Sequence, residues 1–317
     1  SPVRISFGGG GSDTTTYFSK NDGAVINSTI SLYCYASLFK RKDSKITIDS
    51  LDINKKVHVD NFKLLDSLDN EFGLIKSVIK TIKPDFGFDL IINSDFPRGS
   101  GLGGSSAVCS SIIGCFNEFR IDKWNPYEIA EIAFESERLQ LNIAGGWQDQ
   151  YATVFGGFNY IEFKGSENVV NSLRINESIK VELEDSLLLC YTGITHNSGA
   201  IHDIQKENMM NKKEKDYADV SKNIAYEMKS RLLKGDLDDF GELLDKAWAT
   251  KKQFSKNITS DYLDEIYEFA IKNGAIGGKL LGAGGGGYFL FYVPTFKKQS
   301  LSKALTNRGL AIESFTF

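Results

Sequence analysis

A run of glycine and serine, broken only by Leu102, extends from Gly99 to Ser106 and leads directly into an apolar helical segment. Because glycine has no Cβ, its backbone can approach a bound group closely. The unpaired N–H groups and the dipole at the start of a helix favour negative charge. The run therefore predicts an anion site. With a formal net charge of −4 for the whole chain, any such site is local, and neither nucleic acid nor an anionic membrane surface is expected as a partner.

Other kinds of site chemistry find little support in the residue types. Three histidines and four cysteines occur, at spacings that match no metal motif, and the cysteines are expected to be buried reduced thiols. The stretch GSGLGG matches the dinucleotide fingerprint GxGxxG, but Pro97 and Arg98 separate it from the preceding strand and no βαβ unit begins there. A histidine-based zinc site, a Ser–His–Asp triad and a dinucleotide site are therefore not expected.

The elements that would position the glycine run follow from residue patterning, and 317 residues are enough for two domains. Branched and aromatic runs predict strands, and apolar residues on one face predict an amphipathic helix before the run. Asn125 and Pro126 are typical of a helix start. In the first half we expect strands at 3–7, 24–39, 46–60 (a hairpin), 88–95 and 158–163, and helices at 71–82, from about Ser105, and from Pro126.

A polar connection around residues 164–180 predicts a domain boundary, with domains at 1–180 and 181–317. Helices alternating with a small antiparallel sheet favour an α+β second half. No apolar run approaches a membrane span and no leader pattern opens the chain, so we expect a cytoplasmic protein. In the second half we expect strands at 186–191, 276–281, 287–293 and 311–317, and helices within 213–252, at 261–272 and at 295–307.

Three glycine segments, residues 2–13, 97–107 and 279–287, occur in an order that resembles a known family. The middle segment has the pattern P-x-x-x-G-L-G-x-S-S-A and the last contains G-A-G-G-G-G. Together they resemble the GHMP small-molecule kinases nearly end to end. The resemblance implies the GHMP kinase fold, an α+β fold with an N-terminal domain like ribosomal protein S5 domain 2 and a C-terminal ferredoxin-like domain. The active site would lie in the cleft between them.

The same resemblance implies ATP and Mg²⁺ as cofactors and a role for each matching residue. Asp149 would be the catalytic base and Arg4 would stabilise developing charge, while Ser105 and Glu137 would ligate Mg²⁺. Glu135 remains an alternative metal ligand, because the interval from Glu137 to Asp149 is one residue longer than in mevalonate kinase. The residues implied in ATP binding are Gly99, Gly101, Leu102, Gly103, Gly104, Ser105 and Ser106, and those implied in acceptor binding are Asp13, Gly10, Gly11, Ser12, Gln148, Gly284 and Gly285.

The first glycine segment bears on the acceptor, because it lacks the Gly-Glu-His of galactokinase and mevalonate kinase. It resembles the branch that contains D-glycero-D-manno-heptose 7-phosphate kinases and fucokinase-like enzymes. This implies phosphorylation of the anomeric hydroxyl of a heptose 7-phosphate to the 1,7-bisphosphate, in nucleotide-activated heptose synthesis for surface polysaccharide. A fucokinase-like or other sugar 1-kinase, and a non-catalytic sugar sensor on a kinase fold, remain alternatives. A monomer or homodimer is expected.

The groups that would hold the distal phosphate of such a sugar stay open at this point. A site for a phosphate should contain lysine, arginine or clustered backbone N–H groups. The candidates are Arg98, Arg138, Lys164 and the polar loop at residues 195–199, which contains His196 where relatives often carry arginine.

Overall fold

The computed structural model describes residues 1–165, 167–195 and 212–317, with side chains from residue 215 onward in the last range. A seven-stranded sheet forms the first half, in the order β4-β3-β5-β2-β6-β7, with β1 paired to β2. All its neighbouring strands are antiparallel except β3 and β5. The strands are β1 (Pro2–Gly8), β2 (Gly23–Lys40), β3 (Ile46–Ser50), β4 (Lys55–Val59), β5 (Phe88–Ser94), β6 (Phe158–Lys164) and β7 (Glu167–Ser172).

Strand β1 shows how this sheet positions a functional side chain. Successive side chains of a strand point to opposite faces. Val3, Ile5 and Phe7 are fully buried in the core, whereas Arg4 and Ser6 of the opposite face line a cleft. The alternation in VRISF therefore places one charged residue of a buried strand at the cleft surface.

The helices of the first half pack around this sheet. They are α1 (Thr15–Phe18), α2 (Gly73–Ile82), α3 (Gly104–Asn117), α4 (Pro126–Phe134) and α5 (Gln148–Phe155). The predicted start at Pro126 is confirmed, since Asn125 accepts hydrogen bonds from the backbone N–H groups of Tyr127 and Glu128, and Glu128 completes a capping box. Helix α4 continues into a single π-helical turn, Glu135–Leu139.

The second half contains a four-stranded antiparallel sheet in the order β11-β8-β10-β9. Numbered 1 to 4 in chain order from β8 to β11, the strands lie in the order 4-1-3-2. Helical segments lie between β8 and β9 and between β10 and β11, which is the ferredoxin-like arrangement. The α+β prediction is confirmed. The elements are α6 (Glu177–Ser186), β8 (Leu187–Tyr191), α7 (Lys212–Lys234), α8 (Leu237–Lys252), α9 (Asp261–Lys272), β9 (Gly277–Leu280), β10 (Tyr288–Tyr292), α10 (Thr295–Asn307) and β11 (Ala311–Glu313).

Two segments differ from the sequence-based expectation. The connection expected at 164–180 contains strand β7 and the start of α6, because β7 forms an edge hairpin with β6 and Asn176 caps α6. The last strand ends at Glu313 rather than at residue 317. Beyond it the chain leaves the second sheet, and the backbone carbonyl of Thr316 accepts a hydrogen bond from Ser31 N in β2 at 2.9 Å. Within the described ranges, no helix has both the length and the apolar character needed to cross a membrane.

Candidate active site

A cleft of about 870 Å³ is lined by parts of all three glycine segments. Gly8–Gly11 come from the end of β1 and the loop after it, Gly99–Gly101 with Gly103 and Gly104 from the loop before α3 and the first residue of that helix, and Gly282 from the turn between β9 and β10. The fold therefore brings together segments that lie far apart in the chain. Apart from any ligand, close packing of their backbones also requires glycine at some of these positions.

That steric cause is the contact between the second and third glycine segments. A Cβ on Gly282 would lie 2.4 Å from Gly101 Cα, and one on Gly101 would lie 2.8 Å from the carbonyl oxygen of Leu281. Gly101 and Gly103 also adopt positive φ angles, of 79° and 75°, which side chains disfavour. These glycines allow two backbones to touch where helix α3 begins, so the N-terminal end of the helix faces the cleft.

Glu137 is 1% exposed and lies beside that end of α3. Its carboxylate accepts hydrogen bonds from the hydroxyls of Ser105 and Ser106, the latter at 2.6 Å, and from Gln150 Nε2 at 2.7 Å. Glu135, the alternative from the sequence, is exposed. The geometry therefore favours Glu137 as the partner of Ser105.

The π-helical turn decides which glutamate points inward. Its extra residue is shown by the i→i+5 hydrogen bond from Gln140 N to the Glu135 carbonyl, at 3.0 Å, and such turns occur often at functional sites. Ser77 of α2 donates to the Ser136 carbonyl at 2.5 Å and so anchors the turn. Glu137 is thereby directed toward α3.

Asp149 and Arg4 form an ion pair at the centre of the cleft. Arg4 donates from Nε and from Nη2 to Asp149 Oδ1, both at 2.7 Å, and from Nη1 to the carbonyl of Gly101, also at 2.7 Å. Arg4 is 3% exposed and Asp149 16%. The arginine thus links the carboxylate of α5 to the glycine loop, and a Cβ on Gly103 would lie 3.5 Å from Asp149 Cγ. The carboxylate stands where a bound phosphate and a second reactant could meet.

Asp13 is buried at the end of the first glycine segment. It accepts hydrogen bonds from the backbone N–H groups of Gly11 at 3.0 Å and of Gln148 at 3.2 Å. Burial, and after it the charge of Asp149, raise the pKa of the Asp13 carboxyl above its ordinary value. A Cβ on Gly146 would lie 1.8 Å from Asp13 Oδ2, so Gly146 is a site residue that the sequence analysis missed.

Several predicted ligand-binding residues lie behind the cleft surface. The Ser12 hydroxyl donates to the carbonyls of Gly9 and Ala24, and so closes the loop internally. Leu102 is fully buried, and Ser106 is directed to Glu137. Gly284 and Gly285 pack against Ile258 and do not line the cleft, whereas Gly282 and Ala283 of the same turn do. The neighbouring predictions Gly10, Gly11 and Gln148 do line it.

Two lysines of the cleft were also missed by the sequence analysis. Lys279 Nζ donates to the carbonyls of Ser6 at 2.7 Å and Phe7 at 3.0 Å, so a residue of β9 reaches into the N-terminal sheet. Burial, and after it Arg4, lower the pKa of Lys279 to about 7. Lys251 Nζ donates to the carbonyls of Leu280 at 2.8 Å and Gly282 at 2.6 Å, and burial lowers its pKa well below the ordinary value. The position of Lys279 at the start of the third glycine segment was the available signal.

The candidates for a distal phosphate site fall in different places. Arg98 lines the cleft and lies 3.5 Å from the Asp52 carboxylate, and Arg138 lines it at 3.4 Å from Glu137. Lys164, at the end of β6, pairs with Glu162 at 3.1 Å and does not line the cleft. Of the loop at 195–199, residues 196–199, with His196, lie outside the described residues.

Two family models match parts of this chain, and several known proteins are similar to it in sequence. The model of the GHMP kinases N-terminal domain matches residues 73–157, and that of the GHMP kinases C-terminal domain matches residues 228–308. The D-glycero-alpha-D-manno-heptose 7-phosphate kinase of Campylobacter jejuni is 40% identical, over 100% of this chain and 95% of its own length. The L-fucokinase/L-fucose-1-P guanylyltransferase of Bacteroides fragilis is 29% identical over 91% of this chain, which spans 33% of that larger protein.

Solved structures of sugar kinases are also similar to this chain. A D-glycero-D-manno-heptose 1-phosphate kinase from Bacteroides thetaiotaomicron has a TM-score of 0.81 and 30% identity, covering 100% of this chain and 94% of that one. The galactokinase of Lactococcus lactis complexed with galactose has a TM-score of 0.80 at 19% identity, covering 100% of this chain and 92% of that one, and shows likeness of fold.

Proposed function

Because this chain belongs to the GHMP kinase family, we propose that it transfers the γ-phosphate of ATP to the anomeric hydroxyl of D-glycero-D-manno-heptose 7-phosphate and forms the 1,7-bisphosphate. The observation that carries the chemistry is the Asp149–Arg4 pair, in which Arg4 also donates to the carbonyl of Gly101 within the glycine loop. The acceptor is supported by the 40% identity to the heptose 7-phosphate kinase over the whole chain.

The family uses ATP, and the glycine loop fits its phosphates. Phosphoryl transfer depends mainly on positioning and on neutralising charge. The loop at 99–104 presents backbone to the cleft, and α3 begins there with its positive end. A side chain at Gly101 or Gly103 would be strained and would fill this cradle.

Ser105 and Glu137 fit a Mg²⁺ ion bound together with nucleotide phosphates. Mg²⁺ prefers hard oxygen ligands and usually takes one or two protein groups, with phosphates and water completing the shell. The hydroxyl of Ser105 and the carboxylate of Glu137 are such a pair, and they already contact each other. When bound, the ion would neutralise charge on the phosphates.

Asp149 would accept the proton of the anomeric hydroxyl, a hydroxyl more acidic than an ordinary alcohol. Arg4 holds the carboxylate through two N–H groups and leaves its second oxygen, Oδ2, for the substrate. The guanidinium also lies where negative charge develops on the acceptor oxygen.

Asp13 and Gln148 would orient the sugar. Each backbone donor bonds one carboxylate oxygen of Asp13, so both oxygens keep the capacity to accept from sugar hydroxyls. Among the described residues, the buried Gln148 Oε1 has no hydrogen-bond partner, although the side chain lies in the cleft. A buried acceptor of this kind is costly unless a ligand satisfies it.

A coupled ADP-release assay over a panel of sugars tests the proposal. Heptose 7-phosphate should exceed free heptose in kcat/KM by on the order of 10²-fold, because a phosphate contributes charge-assisted hydrogen bonds. The preference should shrink as ionic strength rises, to the extent that the phosphate is exposed. Equal use of fucose or free heptose would support the sugar 1-kinase alternative. The absence of ADP release with every sugar would support a sugar sensor.

A further inference from the structure

The cleft is lined by five cations among the described residues, and they differ in their partners. Arg4 lies against Asp149, Arg98 against Asp52 and Arg138 against Glu137. Lys251 and Lys279 form no ion pair with any carboxylate in the described part of the chain, and both ammonium groups donate to backbone carbonyls. The charge of these two lysines is therefore not balanced by a neighbouring side chain.

Holding two such ammonium groups in one cleft is unfavourable for the folded protein. An ammonium removed from water loses hydration energy that carbonyl dipoles replace only in part. Burial lowers the pKa of both lysines, and Lys279 and Arg4 further lower that of Lys251. Each ammonium has three donors and directs two of them to carbonyls, which leaves one for a ligand. A bound anion would relieve this electrostatic cost.

Lys279 adjoins the acceptor loop, and Lys251 donates to the carbonyls of Leu280 and Gly282, of which Gly282 packs against Gly101 of the glycine loop. Lys279 binds the carbonyls of Ser6 and Phe7, which directly precede the acceptor loop at Gly8–Gly11. Lys251 projects from α8, whose Ala247 also lines the cleft. The phosphates of ATP already have the glycine loop, the start of α3 and the Ser105–Glu137 pair.

We infer that Lys251 and Lys279 form the binding site for the phosphate group of a phosphorylated acceptor, which makes them the residues that select a sugar phosphate over a free sugar. This inference rests on the proposed function, because it assigns the second phosphate of the same reaction. The arginines of the cleft each lie beside a carboxylate, and Lys164 does not line the cleft.

A binding experiment tests the site without relying on turnover. The nucleotide site is filled with Mg²⁺ and a non-hydrolysable ATP analogue, and inorganic phosphate is titrated calorimetrically. Lys251→Met should raise the dissociation constant for phosphate at least tenfold. Lys246→Met, an exposed lysine of the same helix, serves as the matched control and should leave it unchanged. An unchanged dissociation constant in a folded Lys251→Met protein would overturn the inference.

A kinetic experiment separates the acceptor phosphate from the transferred one. In Lys251→Met and Lys279→Met, kcat/KM should fall at least tenfold for heptose 7-phosphate and stay within twofold for free heptose. An equal fall for both acceptors would place the lysines on the transferring phosphoryl group and overturn the inference. Lys279→Met loses the hydrogen bonds of Lys279 to β1 and therefore need not fold. In that case the comparison of Lys251→Met with the charge-retaining Lys251→Arg tests whether the lysines bind the acceptor phosphate. If the wild-type protein does not prefer the phosphorylated sugar, the proposed function fails, whereas the phosphate titration still decides whether the site exists.

Discussion

Gly146→Ala adds one methyl group at the point where the segment before α5 touches Asp13, a residue of the proposed acceptor site. The new Cβ would lie 1.8 Å from Asp13 Oδ2 and 2.3 Å from Asp13 Cγ. Ordinary van der Waals contact begins near 3.4 Å, so the carboxylate and the segment must separate by about 1.6 Å. A shift of that size breaks the hydrogen bonds that Asp13 accepts from Gly11 N and Gln148 N.

The expected result is a loss of sugar binding with ATP binding unchanged. Hydrogen bonds to a charged group contribute roughly 1.5 to 3 kcal/mol each, so the loss of one sugar contact by a displaced Asp13 should raise the KM for the sugar about 10-fold to 10²-fold. Gly146 is remote from the glycine loop in the chain and contacts Asp13 instead. Steady-state kinetics with each substrate varied in turn measures both values.

Gly114→Ala supplies the control for this substitution. Gly114 lies within α3 and its added Cβ would meet no atom within 4 Å, so alanine should stabilise the helix by about 0.5 to 1 kcal/mol and leave both KM values unchanged. If Gly146→Ala melts like the wild-type protein and retains its KM for the sugar, the assignment of Asp13 to the acceptor is refuted. Equal losses for sugar and ATP would instead indicate a general disturbance of the cleft.

Four further predictions concern individual charged groups. Asp149→Asn should lower kcat by ~10² to 10⁴-fold while a calorimetric titration shows unchanged binding of an ATP analogue, as expected for a general base; near-normal turnover would remove Asp149 from that role. Glu137→Gln should raise the Mg²⁺ concentration needed for half-maximal activity, and the exposed Glu135→Gln should not; the reverse result would exchange the two roles. Asp13→Asn should weaken sugar binding and leave ATP binding unchanged in the same titrations, whereas equal losses would indicate a role in folding. Burial lowers the pKa of Lys279 to about 7 in the folded protein, against 10.5 in the unfolded chain, so the unfolded chain binds more protons between these pH values. The free energy of unfolding should therefore rise from pH 7 to pH 9 by about 2 to 3 kcal/mol more in the wild-type protein than in Lys279→Met. Urea titrations at both pH values measure this difference, and an equal change in the free energy of unfolding for the two proteins would contradict the prediction.

Local patterns were sufficient for much of the fold. The alternation in VRISF, the capping residues at Asn125 and Glu128, and the apolar stripe of α2 each act over a few neighbouring residues, so their outcome could be predicted without knowing the rest of the chain. The β7 strand could not, because ENVVNS has few apolar residues and is a strand through its pairing with β6.

The residues of the cleft required the tertiary structure wherever their role depends on what lies across it. The sequence contains the glycines at 284 and 285 and the serine at 12. Contacts with Ile258 turn the glycines away from the cleft, and a hydrogen bond to the Ala24 carbonyl turns the serine away. It also contains Glu135 and Glu137 two residues apart, and the π-helical turn selects the one that is buried.

Lys251 and Lys279 show most clearly the difference between what the local sequence predicts and what the tertiary structure decides. A lysine is commonly an exposed residue. Nothing in the residues next to Lys251 indicates otherwise, and the local signal for Lys279 is limited to its place in the third glycine segment. Their ammonium groups come into one cleft because α8 and β9 pack against β1 and the third glycine segment, and the balance of charge there is a sum over groups distant in the chain. Local propensity determines elements and motifs, whereas burial and electrostatic interaction act through space and are decided when the elements pack.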